Sequence, residues 1–217
     1  MNGWQGLGLL GGSFDPVHTG HIALARQLAD AARLSEVRFV LASSPPHRSA
    51  LVASAPLRLR MLKAAVDGIP GFSVEECELG PSATGYTADT LKALRRANPG
   101  RTLCWMMGFD SFLTLPTWRN WKSILGLAHL LVGARAGHQG SLPAALEAEI
   151  ESRSVADRRE LESSPAGRIM ICRKPVAAVS SSSVRRAARS GDLAHDLIPA
   201  PVARIISDSG AYAGGES

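Results

Sequence analysis

Short apolar runs alternate along the chain with segments in which apolar residues recur every three or four positions. The apolar runs have the length of strands and fall at residues 7–10, 37–42, 72–74, 102–107, 129–132 and 169–172. The helical spacing covers residues 22–33, 57–66, 87–97, 118–125, 184–189 and 201–206. Because strands that alternate with helices form βαβ units, the sequence predicts an α/β fold: a Rossmann-like, doubly wound, mainly parallel sheet with helices on both faces.

One stretch departs from this alternation. Residues 137–166 begin and end with Gly, Ser and Pro and are rich in Glu and Arg in between. We expect an exposed helical insertion with flexible ends and assign it no chemistry. The 217 residues are otherwise expected to form a single domain, 1–217, whose C-terminal helical part is 180–217.

Composition and charge narrow the function classes. The net charge is +5 and the sequence pI is near 9.6, but the basic residues are scattered and no aromatic residues interleave with them. This distribution suits a small polyanionic substrate better than a nucleic acid. We expect no leader sequence and no membrane span, because residues 1–6 have no basic segment and no apolar run reaches membrane-spanning length, and the three cysteines are odd in number and widely spaced. We therefore expect a cytoplasmic protein with no membrane partner, whose thiols are reduced and buried.

The loop after the first predicted strand reads Gly-Gly-Ser-Phe-Asp-Pro-Val-His-Thr-Gly-His, from Gly11 to His21. Glycines without a Cβ atom and the N–H groups of a following helix can bind an anion, and His18 and His21 are spaced to face the same point. The run is neither a Walker loop nor a dinucleotide fingerprint. A zinc site is weakly supported, since Asp15 is the only nearby carboxylate.

A second phosphate-type motif follows the last predicted strand. It reads Val179-Ser180-Ser181-Ser182-Ser183-Val184-Arg185 and opens a helix. Serines cap helix starts and expose hydroxyl and N–H donors, while Arg185 adds a cation within one turn. Considered alone, four consecutive serines are also typical of a linker.

The first motif resembles the signature of the HxGH nucleotidyltransferase superfamily, and its long form is most similar to the bacterial nicotinate-nucleotide adenylyltransferases. The second resembles that family's Ile-Ser-Ser-Thr-x-Ile-Arg motif, with Ser182 at the threonine position and Val184 at the isoleucine position. The resemblance covers nearly the whole chain except residues 137–166. It implies transfer of AMP from ATP to nicotinate mononucleotide, which gives nicotinate adenine dinucleotide and pyrophosphate.

The resemblance also implies site residues. His18, His21 and Arg185 are expected to be catalytic. The residues expected to bind ATP are Gly11, Gly12, Ser13, Phe14, His18, His21, Arg48, Gly108, Asp110, Ser180, Ser181, Ser182 and Arg185. Those expected to bind the acceptor are Ser13, Phe14, His47, Tyr86, Thr87, Trp118 and Arg135. Mg²⁺ is expected to accompany ATP without protein ligands.

Individual loops qualify these roles. Arg48 stands where the family usually has lysine, and Arg135 lacks the proline that usually follows it. The resemblance places Trp118 against the nicotinate ring, whereas indole spacing alone favours the core. Thr87 is expected to be the N-cap of its helix and Thr90 its N3 residue. Asp110 suits a ribose hydroxyl.

Other functions remain open at this point. A related nucleotidyltransferase could use nicotinamide mononucleotide or phosphopantetheine as acceptor, or transfer a cytidylyl group. A class I aminoacyl-tRNA synthetase shares a similar histidine motif, but 217 residues leave no room for its tRNA-binding parts. A non-catalytic protein that binds nucleotide or RNA would bind ATP without releasing pyrophosphate. The sequence does not indicate an oligomeric state.

Overall fold

The computed structural model describes residues 4–43, 51–135, 141–176, 179–193 and 196–213. One sheet contains the strands β1 (Gly6–Gly12), β2 (Val37–Leu41), β3 (Phe72–Glu75), β4 (Thr102–Gly108), β5 (His129–Arg135), β6 (Ser154–Val155) and β7 (Ile169–Val176). Their order is β3-β2-β1-β4-β5-β7-β6, and each neighbouring pair is parallel.

Helices connect the strands. They are α1 (Thr19–Ala32), α2 (Ala55–Val66), α3 (Thr87–Ala97), α4 (Phe109–Leu113), α5 (Trp121–Leu127), α6 (Ala144–Arg153), α7 (Arg158–Glu162), α8 (Ser181–Arg189) and α9 (Ala200–Ser209). Two short 3₁₀ helices, Cys77–Leu79 and Leu115–Thr117, complete the connections. None of the helices in the described ranges is both long enough and apolar enough to span a membrane.

Successive side chains of the strands point into two separate hydrophobic cores. Leu10 and Met106 face the core that α1, α2, α8 and α9 cover. Leu9 and Trp105 face the opposite core, which α3, α4, α5 and α6 cover. Because strands buried on both faces read as continuous apolar runs, the sequence pattern already indicates this arrangement. The predicted doubly wound α/β fold is confirmed.

The strand order reverses beside β1. The chain builds β2 and β3 on one side of β1 and then crosses to place β4 on its other side. Loops that leave the carboxyl ends of β1 and β4 therefore diverge and open a crevice between them, which is where ligands bind in open α/β sheets. Both sequence motifs lie at this edge.

Several boundaries differ from the prediction. Strand β1 continues through Gly11 and Gly12, so the turn begins only after the two glycines. The helix expected at 118–125 begins at Trp121, because Leu115–Thr117 forms a 3₁₀ helix that contains Pro116. Of the cysteines, Cys104 is buried but Cys77 is exposed. Cys77 lies outside the core because it begins a short 3₁₀ helix after the edge strand β3.

The stretch expected to be an exposed insertion also contributes to the core. Within the described part of it, residues 141–166, Leu146 and Leu161 are fully buried and Val155 is 7% exposed. Strand β6 pairs with β7 and extends the sheet by one strand. Two strand residues and isolated apolar positions among charged ones give too weak a periodicity to be recognised in the sequence.

Candidate active site

The two histidines of the first motif stack on each other at the start of α1. His18 is the N-cap residue, with extended backbone angles, and is only 1% exposed. The ring centroids of His18 and His21 are 3.6 Å apart and the ring planes differ by 22°. His21 Nδ1 accepts a hydrogen bond of 3.2 Å from the main-chain N–H of His18. This bond fixes the orientation of the His21 ring.

Two glycines leave room for the rings around them. A Cβ atom on Gly20 would lie 3.1 Å from His18 Nδ1 and 3.3 Å from Val179 Cβ. A Cβ atom on Gly11 would lie 2.3 Å from the indole ring of Trp105. Gly20 therefore allows the His18 ring to pack over the helix start, and Gly11 allows Trp105 to reach the carboxyl end of β1.

The second motif packs directly against the first. Ser180 is the N-cap of α8, and its hydroxyl accepts a hydrogen bond of 3.1 Å from the Ser183 N–H. Arg185 donates to the main-chain carbonyl of Asp15 over 2.8 Å and to the Ser182 hydroxyl over 3.3 Å. Ser181 donates to the Pro16 carbonyl over 3.0 Å. The serine run is thus a capped helix start rather than a linker.

The carboxylate of Asp15 is an internal anchor. Asp15 is 4% exposed and accepts hydrogen bonds from the main-chain N–H groups of Val52 at 2.8 Å and Ala53 at 3.0 Å. The Tyr212 hydroxyl donates to it over 2.7 Å. Burial is the main cause that raises the pKa of Tyr212, and the hydrogen bond to Asp15 raises it further. The Tyr212 hydroxyl therefore keeps its proton. With both carboxylate oxygens engaged, Asp15 fits a structural role better than that of a metal ligand.

A buried guanidinium holds the loops on the other side of the crevice. Arg58 on α2 is 1% exposed and donates 2.7 Å hydrogen bonds to the carbonyls of Ser13, Ala42 and Ser43. It also donates to Ala53 over 3.1 Å. Burial lowers the Arg58 pKa. Sequence reasoning missed this residue, although its position on the buried face of α2, three residues before Met61, was a signal.

Two cavities share one wall at the carboxyl ends of β1 and β4. The histidine cavity, of about 400 Å³, is lined on its own side by His18, His21, Asp110, Ser180, Ser181, Ser182 and Arg185. The tyrosine cavity, of about 380 Å³, is lined on its own side by Glu78, Gly85, Tyr86, Thr87, Thr117 and Arg119. The shared wall consists of Gly11, Gly12, Ser13, Trp105, Ser111 and Trp118.

The electrostatics of the crevice favour anions. The N-terminus of α1 at His18 and that of α8 at Ser180 both border the histidine cavity, and the N-terminus of α3 at Thr87 borders the tyrosine cavity. Each helix start carries a partial positive charge and N–H donors, and Arg185 adds a full charge. The histidine cavity can therefore hold several phosphate groups.

The tyrosine cavity combines an aromatic wall with a helix start. Helix α3 begins at Thr87, and its N-cap is Tyr86 rather than the expected Thr87, so N3 is Asp89 instead of Thr90. The expectation failed because Tyr86 already has the extended backbone of a cap, without a side-chain capping bond. The Arg119 guanidinium lies 4.6 Å from the centre of the Tyr86 ring, a cation–π contact across the cavity mouth.

Most residues expected to bind ATP line the histidine cavity, and Gly108 is among them. Of those expected to bind the acceptor, Ser13, Tyr86, Thr87 and Trp118 line the tyrosine cavity. The roles themselves stay predictions.

Four expected residues contribute no described side chain to either cavity. Phe14 is 1% exposed and packs against Phe39 and His21 in the core, so only its main chain could reach a substrate. His47 and Arg48 lie outside the described residues. Arg135 ends β5, and its side chain is likewise outside the description. Trp105 and Glu78, which sequence reasoning did not select, line the cavities.

The chain is similar in sequence to a known protein family and to named bacterial proteins. The model of the cytidylyltransferase-like family matches residues 9–187. Relatives named "Probable nicotinate-nucleotide adenylyltransferase" come from Laribacter hongkongensis, with 45% identity over 89% of this chain and 89% of the relative, and from Aeromonas salmonicida, with 38% identity over 95% and 96%.

The fold has a solved counterpart at low sequence identity. It is similar to the nicotinic acid mononucleotide adenylyltransferase of Plasmodium falciparum complexed with NaAD, with a TM-score of 0.73 and 17% identity over 96% of this chain and 97% of that one.

Proposed function

The chain belongs to the cytidylyltransferase-like family and, within it, to the nicotinate-nucleotide adenylyltransferases, and we propose on that basis how its residues carry out the family's reaction. The protein transfers the adenylyl group of ATP to nicotinate mononucleotide. The products are nicotinate adenine dinucleotide and pyrophosphate.

The observation that carries this assignment is the pair of cavities with a common wall. One presents hydroxyl groups, imidazoles and a guanidinium, while the other presents aromatic rings and the start of α3. ATP in the histidine cavity and a pyridine nucleotide in the tyrosine cavity would meet at Gly11, Gly12 and Ser13. Holding two substrates against one wall converts their encounter into a reaction within one complex.

The chemistry requires no nucleophile from the protein. An oxygen of the acceptor's 5′-phosphate attacks the α-phosphorus of ATP; the new P–O bond forms as the bond to the β-phosphate bridging oxygen breaks. Pyrophosphate leaves with that electron pair. Because the attacking phosphate is already ionised, catalysis consists of positioning the phosphates and neutralising the charge that develops.

The two motifs supply the neutralising groups. His18 and His21 donate hydrogen bonds to the phosphates, and Ser182 with Arg185 binds the β and γ groups. Arg48 is proposed to assist them. The bond from Arg185 to the Asp15 carbonyl supports this division, because it holds the cation beside the histidines before substrate arrives.

The acceptor side is proposed to use different chemistry. Trp118 stacks on the pyridine ring, and the start of α3 at Tyr86 and Thr87 faces its acidic substituent. Asp110, by contrast, lines the histidine cavity and is proposed to accept a hydrogen bond from a ribose hydroxyl of ATP. The position of Trp118 on the shared wall supports contact with both substrates.

Mg²⁺ is proposed to enter with ATP, bound by its phosphate oxygens, and to reduce the negative charge of the triphosphate. The described lining of the histidine cavity includes two carboxylates, Asp15 and Asp110, and Asp15 is engaged by three donors. In the part of the chain that the structure describes, no group of three or more His, Cys, Asp or Glu side chains could hold an ion. We propose no protein ligand for the ion.

The decisive experiment measures pyrophosphate release from ATP with nicotinate mononucleotide, nicotinamide mononucleotide and phosphopantetheine in parallel. We expect release with nicotinate mononucleotide to exceed that with the other two. Release with phosphopantetheine alone would assign the protein to another branch of the family. ATP binding without release for any acceptor would indicate a non-catalytic protein.

A further inference from the structure

A buried carboxyl group lies beside the start of α3. Glu78, in the 3₁₀ helix Cys77–Leu79 that follows β3, is 6% exposed and lines the tyrosine cavity with Tyr86 and Thr87. Acidic side chains are almost never so deeply buried without a partner, so its presence calls for a chemical explanation.

Only one of its two oxygens has an internal partner. The Thr90 hydroxyl lies 2.6 Å from Glu78 Oε1 and 3.2 Å from the main-chain carbonyl oxygen of Tyr86, and we assign its single hydrogen to the nearer acceptor, Oε1. Glu78 Oε2 is buried and has no hydrogen-bond partner among the described residues. A buried carboxylate with a free oxygen is costly, whereas a protonated carboxyl group carries a hydrogen that can be donated.

Burial therefore favours the neutral acid. It raises the pKa of Glu78, and the bond from Thr90 opposes the rise only in part. With Oε1 accepting from Thr90, Oε2 is the oxygen that would carry the proton of the neutral acid. In its neutral form, Glu78 would therefore give the cavity a hydrogen-bond donor that carries no charge.

The start of α3 indicates what that donor meets. Helix α3 has eleven residues, and its N-terminus at Thr87 attracts an anion to the same cavity. An ionised Glu78 would repel such an anion. A protonated Glu78 would instead add a donor, and a donor binds a carboxylate more strongly than it binds a neutral carbonyl.

We propose that Glu78 is a specificity-determining residue whose protonated carboxyl group donates a hydrogen bond from Oε2 to the anionic substituent of the acceptor ring. It favours the acid over the amide form of the pyridine nucleotide. This inference rests on the proposed function, since it specifies how the same cavity distinguishes two acceptors.

The test compares kcat and KM for nicotinate and nicotinamide mononucleotide in the wild type and in Glu78→Met and Glu78→Gln. The methionine variant keeps the length of the side chain but removes the donor. We expect it to lower the acid-to-amide ratio of kcat/KM by about tenfold, through a higher KM for the acid. The glutamine variant keeps most of the preference, because its carbonyl accepts from Thr90 and its amide nitrogen donates in place of Oε2.

A matched control separates binding from structure. Thr90→Val removes the hydroxyl partner of Oε1 and its 3.2 Å contact with the Tyr86 carbonyl but keeps the Oε2 donor, so we expect the acid-to-amide ratio to stay within about twofold of the wild type. If Thr90→Val lowers the ratio as Glu78→Met does, Glu78 only supports α3 and the inference fails. Glu78→Asp shortens the side chain by one methylene and is expected to lower the acid-to-amide ratio by a smaller factor. It replaces Glu78→Met as the test variant if the methionine variant does not fold.

Two outcomes overturn the inference while the proposed function stands. One is an unchanged ratio in Glu78→Met, and the other is an equal loss with both nucleotides, which would place the contact on a group that they share. If the wild type releases no pyrophosphate with either pyridine nucleotide, the proposed function fails instead, so the two failures are distinguishable.

Discussion

Tyr212 donates its hydroxyl hydrogen to the carboxylate of Asp15 over 2.7 Å, although 197 residues separate the two along the chain. The same C-terminal region also reaches Thr19, whose hydroxyl donates to the main-chain carbonyl of Asp196 over 2.7 Å. The loop that presents His18 is therefore held from the end of the chain as well as by the sheet.

Replacing Tyr212 with phenylalanine keeps the ring and removes only the donor to Asp15. We expect the free energy of unfolding to fall by about 1–2 kcal/mol, because a buried carboxylate loses one of its partners. Urea unfolding measures the change. Ser152→Ala, which removes an exposed hydroxyl that bonds to the Ala148 and Glu149 carbonyls of its own helix α6, provides the control and should change stability by less than about 0.5 kcal/mol. Equal stability of the two variants would contradict the anchoring role.

Replacing His18 with alanine is expected to lower kcat by about 100-fold or more, because a donor to the reacting phosphates is lost. Gly20→Ala should lower kcat in the same direction by a smaller factor, since the new Cβ atom would crowd His18 Nδ1. Gly126→Ala is the control, because a Cβ atom there meets no atom within 4 Å. Near wild-type turnover in His18→Ala would make the motif structural rather than catalytic.

Arg58→Lys is expected to lower the free energy of unfolding by about 2–4 kcal/mol. Lysine keeps the charge but cannot reproduce the fork that bonds four carbonyls, and buried carbonyls left unpaired are costly. Thermal unfolding measures the loss. Arg60→Lys, two residues along α2 and exposed, should behave like the wild type, and a similar effect in both variants would show that the forked bonds are unimportant.

Trp118→Ala is expected to raise the KM for the pyridine nucleotide by about tenfold and to change kcat much less, because it removes a stacking surface from the cavity wall. Steady-state kinetics with ATP saturating measures both constants. Trp121→Ala tests the alternative, since Trp121 packs against the core and should affect stability rather than KM. A fall in kcat alone for Trp118→Ala would place this indole near the transferred group instead of the ring.

His129 makes stability depend on pH. Its Nδ1 accepts from the Arg168 N–H over 3.0 Å, and its Nε2–H donates to the carbonyls of Leu161 and Ser164, an arrangement that requires the neutral ring. Burial lowers the His129 pKa below its ordinary value of 6.5. The unfolded chain therefore binds a proton at a higher pH than the folded chain does.

His129 should therefore contribute its full stabilisation above pH 6.5. The free energy of unfolding should decrease as the pH falls below 6.5 toward the lowered pKa of the folded state. Urea unfolding at about pH 7.5 and about pH 5.5 measures the difference. In His129→Gln, we expect the free energy of unfolding to lose the part of its pH dependence that His129 contributes. A pH dependence as steep as that of the wild type would assign the effect to other groups.

The sequence predicted those elements and motifs that can be recognised within a short stretch of residues. Strands buried on both faces leave unbroken apolar runs, and the motifs at Gly11 and Ser180 each lie at a strand–helix junction. Strand β6, by contrast, has only two residues and depends on its pairing with β7. The start of α5 was also misplaced: the helix expected from residue 118 begins only at Trp121, because a separate 3₁₀ helix, Leu115–Thr117, precedes it and Asn120 is the N-cap residue of α5.

The parts of the site that could not be predicted depend on distant contacts. Arg58 is one arginine among many in the sequence, and only the fold shows that it joins the ends of β1 and β2. Glu78 precedes α3 by several residues and becomes distinctive only through burial and its bond to Thr90. Neither feature leaves a periodic or motif-like trace, because each is set by packing between separate elements.

The order in which the chain is made gives the C-terminal contacts a further significance. All the described strands precede residue 177, but Arg185 and Tyr212 come later and hold the loop of Asp15 from outside the sheet. During synthesis from the N-terminus, every described strand is therefore made before the groups that complete the phosphate site and before α8 and α9, which cover one core. Arg185 and Tyr212 therefore reach the loop of Asp15 only in the last stage of synthesis, and we expect chains that end before Arg185 to lack the cation of the phosphate site.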